Sequence, residues 1–125
     1  MLNGKRSHTT LPAVDLARAK AFYSEKLGLE PASEQAGGNL YETGGGTFIV
    51  FPGSTPSAGA FTQMGFTVDD IEAEVAELKS RGVTFESYDM PNFDPETSIF
   101  SPGSVRSAWF KDSEGNLIGI VQFLT

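Results

Sequence analysis

The chain repeats itself. Asp15 and Asp70 each stand between a short apolar run and a segment of helical periodicity, and laying one on the other shifts the sequence by 55 positions. Under that shift Leu11 falls on Phe66, Leu16 on Ile71, Tyr23 on Leu78 and His8 on Gln63. Internal similarity of this kind means that one supersecondary unit is used twice, which removes most architectures before any single residue is weighed. Each unit opens with a strand-like run, Thr9 to Val14 in one and Phe61 to Val68 in the other. A helix follows. The first has Asp15 as N-cap, a stripe of Leu16, Ala19, Phe22, Tyr23 and Leu27, and Gly28 as the left-handed residue that ends it. The second opens at Asp69-Asp70, carries Ile71, Val75 and Leu78, and stops at Gly82. Phe22 and Tyr23 read as core residues of their helix.

After the helix each half offers a weak strand and then a strand pair around a glycine turn. The pairs are Asn39–Glu42 with Thr47–Phe51, and Ala108–Lys111 with Asn116–Ile120. Here the shift is 69, which sets Tyr41 on Phe110, Gly46 on Gly115, Phe48 on Leu117 and Val50 on Gly119. The growth in the shift puts about fourteen extra residues in the second half, within a Pro- and aromatic-bearing loop from Asp89 to Ser107. The expected fold is therefore α+β, with two βαβββ modules forming cupped mixed sheets around a central cavity. Residues 1–125 make a single domain, with module one at about 7–53, a linker at 54–60 and module two at about 61–125. One helix covers only one face of a four-stranded sheet, so the modules need each other.

Composition excludes several functions. With no cysteine there is no disulfide framework, thiolate metal site or cysteine nucleophile, and one histidine forbids every two-histidine metal motif. Nine basic against sixteen acidic residues give a net charge of −7, unsuited to a nucleic-acid backbone, so no nucleic-acid partner is expected. No apolar run approaches the roughly 20 residues that span a bilayer, and the expectation is a cytoplasmic protein with no membrane partner. Gly44-Gly45-Gly46 lies between strands and reads as a hairpin turn, not a phosphate loop. Asp112-Ser113-Glu114-Gly115-Asn116 reads as a turn too, with Glu114, like Glu42, a solvated surface carboxylate. The serines have no histidine–acid relay, and Arg106 and Lys111 read as solvated cations.

Four segments carry a further signal: His8-Thr9-Thr10-Leu11-Pro12-Ala13-Val14-Asp15-Leu16, Ala21-Phe22-Tyr23 with Leu27-Gly28-Leu29, Phe66-Thr67-Val68-Asp69-Asp70-Ile71, and Trp109 to Ile118. Together they resemble the vicinal oxygen chelate superfamily, the glyoxalase, bleomycin-resistance and extradiol-dioxygenase group. The resemblance spans nearly the whole chain. It implies a ligand cavity between cupped sheets and homodimer formation. It also implies, for metal-using members, ligands at four repeat-related places that correspond here to His8, Val50, Gln63 and Gly119. Neither valine nor glycine offers a side-chain oxygen, and one imidazole with one amide is a poor donor set for a catalytic ion. No metal or other cofactor is therefore expected, and no catalytic residue is assigned.

The expected ligand site is built from side chains that alternation places on the cavity face. They are His8 and Thr10 on the first strand, Phe48 and Val50 on the strand that closes module one, and Gln63 and Gly65 at the start of module two. Leu117 and Gly119 come from the last strand, with Ile49 and Phe51 turned to the helix. Tyr41, Phe93, Phe100 and Trp109 supply an aromatic wall, and the extra loop supplies a rim. The leading expectation is metal-independent binding of a small aromatic or amphipathic molecule. A divergent metal-dependent lyase, isomerase or dioxygenase using His8 is the alternative. A weaker third reading is an accessory subunit associating through its sheet edges.

Overall fold

The structure is a computed structural model that describes residues 1–124. Both modules form as the repeat requires. Module one runs β1 (Thr9–Ala13), α1 (Leu16–Leu27), β2 (Ser33–Gln35), β3 (Gly38–Glu42) and β4 (Thr47–Pro52), and its sheet has the order β1-β4-β3-β2. Module two runs β5 (Met64–Thr67), α2 (Ile71–Ser80), β6 (Phe93–Asp94), β7 (Ile99–Phe100), β8 (Val105–Lys111) and β9 (Leu117–Phe123), in the order β5-β9-β8-β7-β6. In each sheet the first and last strands of the module lie side by side in parallel, and the rest pair antiparallel. The extra residues of module two are not only a loop. They contribute β6 and β7, which extend the sheet edge by antiparallel pairing of Phe93 with Phe100 and of Phe100 with Ser107.

The helices start and stop where local chemistry dictates. Asp15 and Asp70 accept hydrogen bonds from the backbone N–H groups of Arg18 and Ala73 at 2.9 and 3.1 Å, each cap contributing about 1 kcal/mol. Gly28 closes α1 at φ 70°, a conformation that glycine adopts without a Cβ clash. Below the helices lies one continuous core that joins the modules. Leu11, Tyr23, Tyr41, Phe48 and Val50 from module one meet Ile71, Val75, Phe110, Ile118 and Ile120 from module two, and Phe48 touches Phe66 edge-on at 6.5 Å between centroids. The helix-side faces are thus largely taken up by mutual packing. Both sheets stay open, so the opposite, concave face of each sheet is left uncovered, and no closed chamber forms between them.

The turn after β8 does more than reverse the chain. Asp112 accepts from Tyr23 Oη at 2.7 Å, from Asn116 Nδ2 at 2.8 Å, and from the backbone N–H groups of Glu114 and Asn116 at 2.8 and 2.9 Å. Burial and the adjoining Asp112 carboxylate push the Tyr23 phenol well above its ordinary value. Glu114, expected at the surface, is instead buried. It accepts from the Asp15 backbone N–H at 3.0 Å and from Arg18 Nε and Nη2 at 2.8 and 3.0 Å. The two-pronged guanidinium contact holds its carboxyl at about 2, below the usual carboxylate range. A buried carboxylate is tolerated because every approach to it is a donor. The segment is a turn, as the sequence suggests, and also a clamp on the start of α1.

Candidate functional site on the concave faces

Strand pairing decides which side chains reach the concave faces, since cross-strand partners share a face. In module one the partners Thr10–Ile49, Leu40–Ile49 and Pro12–Phe51 lie on the concave side, partly or fully accessible. Tyr41, Phe48 and Val50 do not. They are 1%, 2% and 0% exposed on the helix side, where Tyr23 packs on Tyr41 at 5.4 Å and on Phe48 at 5.6 Å. The expected alternation on β4 is reversed, and Ile49 and Phe51 take the places foreseen for Phe48 and Val50.

The cause is a single residue. Glu42 pairs with Thr47 across a four-residue turn, whereas Lys111 pairs with Leu117 across a five-residue turn. With Gly46 matched to Gly115, the extra residue is Asn116. Up to the turn the repeat shift is 69, and beyond it the shift is 70. Phe48 therefore corresponds to Ile118, and Ile49 to Gly119. A one-residue slip exchanges the two faces of a strand.

In module two Gly65, Gly119, Trp109, Phe93 and Phe100 share one face of the sheet, whereas Leu117 is buried and Gln63 is tied up in internal hydrogen bonds. Gly65 pairs with Gly119, and Gly119 with Trp109. Phe100 and Phe93 continue the same face through Ser107. Trp109 is the centre of an aromatic group. Tyr88 meets it edge-on at 5.6 Å and meets Phe93 at 5.9 Å, while Phe100 lies at 6.1 Å. The Trp109 indole N–H donates to Thr62 Oγ1 at 3.0 Å, which fixes the ring over Gly119. Beside it a cleft of about 320 Å³ is lined by Phe61, Thr62, Tyr88, Met90, Trp109 and Leu117. Phe61, one of these lining residues, is 82% exposed.

Phe61, Thr62, Tyr88 and Met90 were not foreseen. Tyr88 and Met90 flank Asp89, where the pattern reads as the start of a loop. Their one sequence signal is an aromatic and a flexible apolar side chain placed just before Pro91.

The four family ligand places do not fit a metal ion. His8 is exposed at the head of β1, and the module-one place on the last strand belongs to Ile49. The Gln63 amide oxygen accepts from Ser57 Oγ at 2.7 Å and from the Leu117 N–H at 3.1 Å, while its nitrogen donates to Asn116 Oδ1 at 2.9 Å. Both lone pairs that could bind a cation are used. A side chain at Gly119 would meet the indole, since a Cβ there lies 3.3 Å from Trp109 and 3.2 Å from Thr62. One imidazole remains of four donors. Among the described residues no three His, Asp or Glu side chains are grouped to hold an ion. No helix among them is long and apolar enough to cross a membrane.

Several solved structures share this fold. UcmS2 is similar over 94% of this chain and 96% of its own, at 21% identity and a TM-score of 0.74. A putative glyoxalase family protein from Bacillus anthracis is similar at 19% identity and a TM-score of 0.73, over 94% and 93% of the two chains. The genomically encoded fosfomycin resistance protein FosX from Listeria monocytogenes is similar at 19% identity and 0.69, over 93% and 90%. Comparison with curated protein sequences gives no match. The family profile described as Glyoxalase/Bleomycin resistance protein/Dioxygenase superfamily matches residues 5–120. With the module order, strand pairing and sequence profile in agreement, the chain belongs to the glyoxalase/bleomycin resistance/dioxygenase superfamily.

Proposed function

We propose that this protein binds a flat aromatic or amphipathic small molecule on the concave face of module two, without a metal ion. The observation that carries the reading is Trp109, pinned by Thr62 over a glycine and flanked by Tyr88, Phe93 and Phe100. A rigid, partly exposed indole beside an apolar cleft offers contact area at little entropic cost. His8 and Thr10 lie on the concave side of the other sheet, where they would contribute hydrogen bonds only to a ligand or partner reaching that face. Small-molecule sites enclose most of their ligand, about 70–90% of its surface. An open sheet does not. A second copy of the chain laid over this face would close it, so the binding unit is taken to be a homodimer, acting in the cytoplasm.

Trp109 is the one tryptophan, so its fluorescence reports the site directly. Titration with a panel of aromatic and amphipathic metabolites, paired with thermal unfolding, should find ligands that shift the emission and raise Tm together. Trp109→Ala should weaken those ligands at least about tenfold, as removal of an aromatic anchor does. Binding unaffected by Trp109→Ala would overturn the reading. So would stoichiometric metal in protein purified without chelator that is lost in His8→Ala, an outcome that favours the metal-dependent alternative.

A further inference from the structure

The modules meet along two seams of the same plan, filled differently. At one seam Tyr23 of α1 reaches Asp112, and Glu114 completes the closure through Arg18. At the other the repeat partner of Tyr23 is Leu78, the partner of Asp112 is Thr43, and Gly44 and Gly45 stand for Ser113 and Glu114. The shorter side chains leave a cleft of about 330 Å³ between the end of α1 and the face of α2. Phe66, Leu78, Phe110 and Ile120 form its apolar floor, with Leu27 and Leu29 as a wall. Glu74 lines it too. This residue is the counterpart of Ala19, exposed to solvent, and among the described residues its carboxylate has neither an ion-pair partner nor a side-chain hydrogen bond. The Thr43 hydroxyl is already turned into its own turn, donating to the Gly46 carbonyl at 3.3 Å.

We propose that this seam is a second binding site, separate from the concave faces, for a small primary amine carrying an apolar body. The cleft has room for about a dozen non-hydrogen atoms at interior packing density. Burying an aryl or alkyl body on the partly exposed Leu27, Leu29, Phe66 and Leu78 supplies the hydrophobic part of the affinity. The ammonium group pairs with the Glu74 carboxylate at the edge of the cleft, where charge assistance strengthens the hydrogen bond. The net charge of −7 raises the local concentration of cations and opposes carboxylate ligands of the same shape. Acid and amine analogues of one skeleton therefore separate the charged contact from simple filling of a greasy space.

The probes are phenylbutylamine and phenylbutyrate, added to the 125-residue chain and followed by calorimetry and thermal unfolding. The amine is expected to bind and raise Tm, and the acid to bind at least about tenfold more weakly. Glu74→Gln, which keeps the shape of the cleft, should weaken the amine about five- to tenfold. Leu78→Phe should block the amine by filling the floor. Gly44→Leu is the second occluding variant should that one fail to fold, because a Cβ at Gly44 meets no atom within 4 Å. Trp109→Ala should leave amine binding within twofold. Equal binding of acid and amine, no binding of either, an unchanged affinity in Glu74→Gln or in the occluding variant, or loss of binding in Trp109→Ala would each overturn the assignment.

Discussion

The turns Thr43–Gly46 and Asp112–Asn116 occupy equivalent places in the two modules and do opposite things. The second is built of side chains that reach across the molecule, to Tyr23, Arg18, Gln63 and the Pro12 carbonyl. Three of the four residues in the first are glycine, and its one side-chain hydrogen bond stays within the turn. The same backbone unit therefore carries a polar clamp at one seam and an open apolar cleft at the other. A repeat fixes where elements go; the residues at its turns decide whether the place becomes a fastening or a vacancy. The concave faces differ in the same way. Module two concentrates its aromatic side chains there, whereas module one commits Tyr41 and Phe48 to the core, stacked at 4.7 Å.

If the clamp holds the modules together, the comparison breaks most visibly at Asp112. Asp112→Ala would strand Tyr23 Oη and two backbone N–H groups and leave Asn116 Nδ2 with the Pro12 carbonyl alone, and should cost about 3–5 kcal/mol in urea unfolding. Thr43→Ala, at the equivalent place, should change stability by less than about 0.5 kcal/mol. Acid sharpens the contrast next. Glu114 has its pKa lowered to about 2 in the folded state from 4.5, so its contribution is complete above about pH 4.5 and is lost as pH falls toward 2. Arg18 is half exposed, which limits that loss to about 1–3 kcal/mol, and Arg18→Ala should flatten the dependence over this window. The smallest effect should come from His8→Ala. The exposed imidazole should contribute within about 0.5 kcal/mol, and chelator treatment should leave Tm unchanged in both proteins.

Much of this was legible in the chain. Both helix caps, the two-module plan and the cavity-side placement of Gly65 and Gly119 follow from repeat spacing and period-two alternation, which are local signals, whereas Trp109 enters only as part of an aromatic wall. The slip on β4 was not legible, because Tyr41 on Phe110 and Gly46 on Gly115 agree at one shift and nothing local marks Asn116 as an addition. Its signature is only the strand register. Glu114 was misplaced for a related reason. A carboxylate in a turn is normally hydrated, and the guanidinium that makes its burial possible lies 96 residues away. Gln63 reads from the sequence as a cavity residue, but its amide is spent on Ser57, Asn116 and Leu117, contacts that depend on where the β8–β9 hairpin lands.

That hairpin also sets an order of events. The contacts of Asp112, Glu114 and Asn116 with Tyr23, Arg18 and Pro12 close loops of 89, 96 and 104 residues, so the first helix is secured by residues far along the chain from it. Such distant pairings are the slowest to form, since chain entropy is lost before any contact repays it. The start of the first helix is therefore fastened only where the β8–β9 hairpin has formed, which couples the two modules through contacts of high sequence separation.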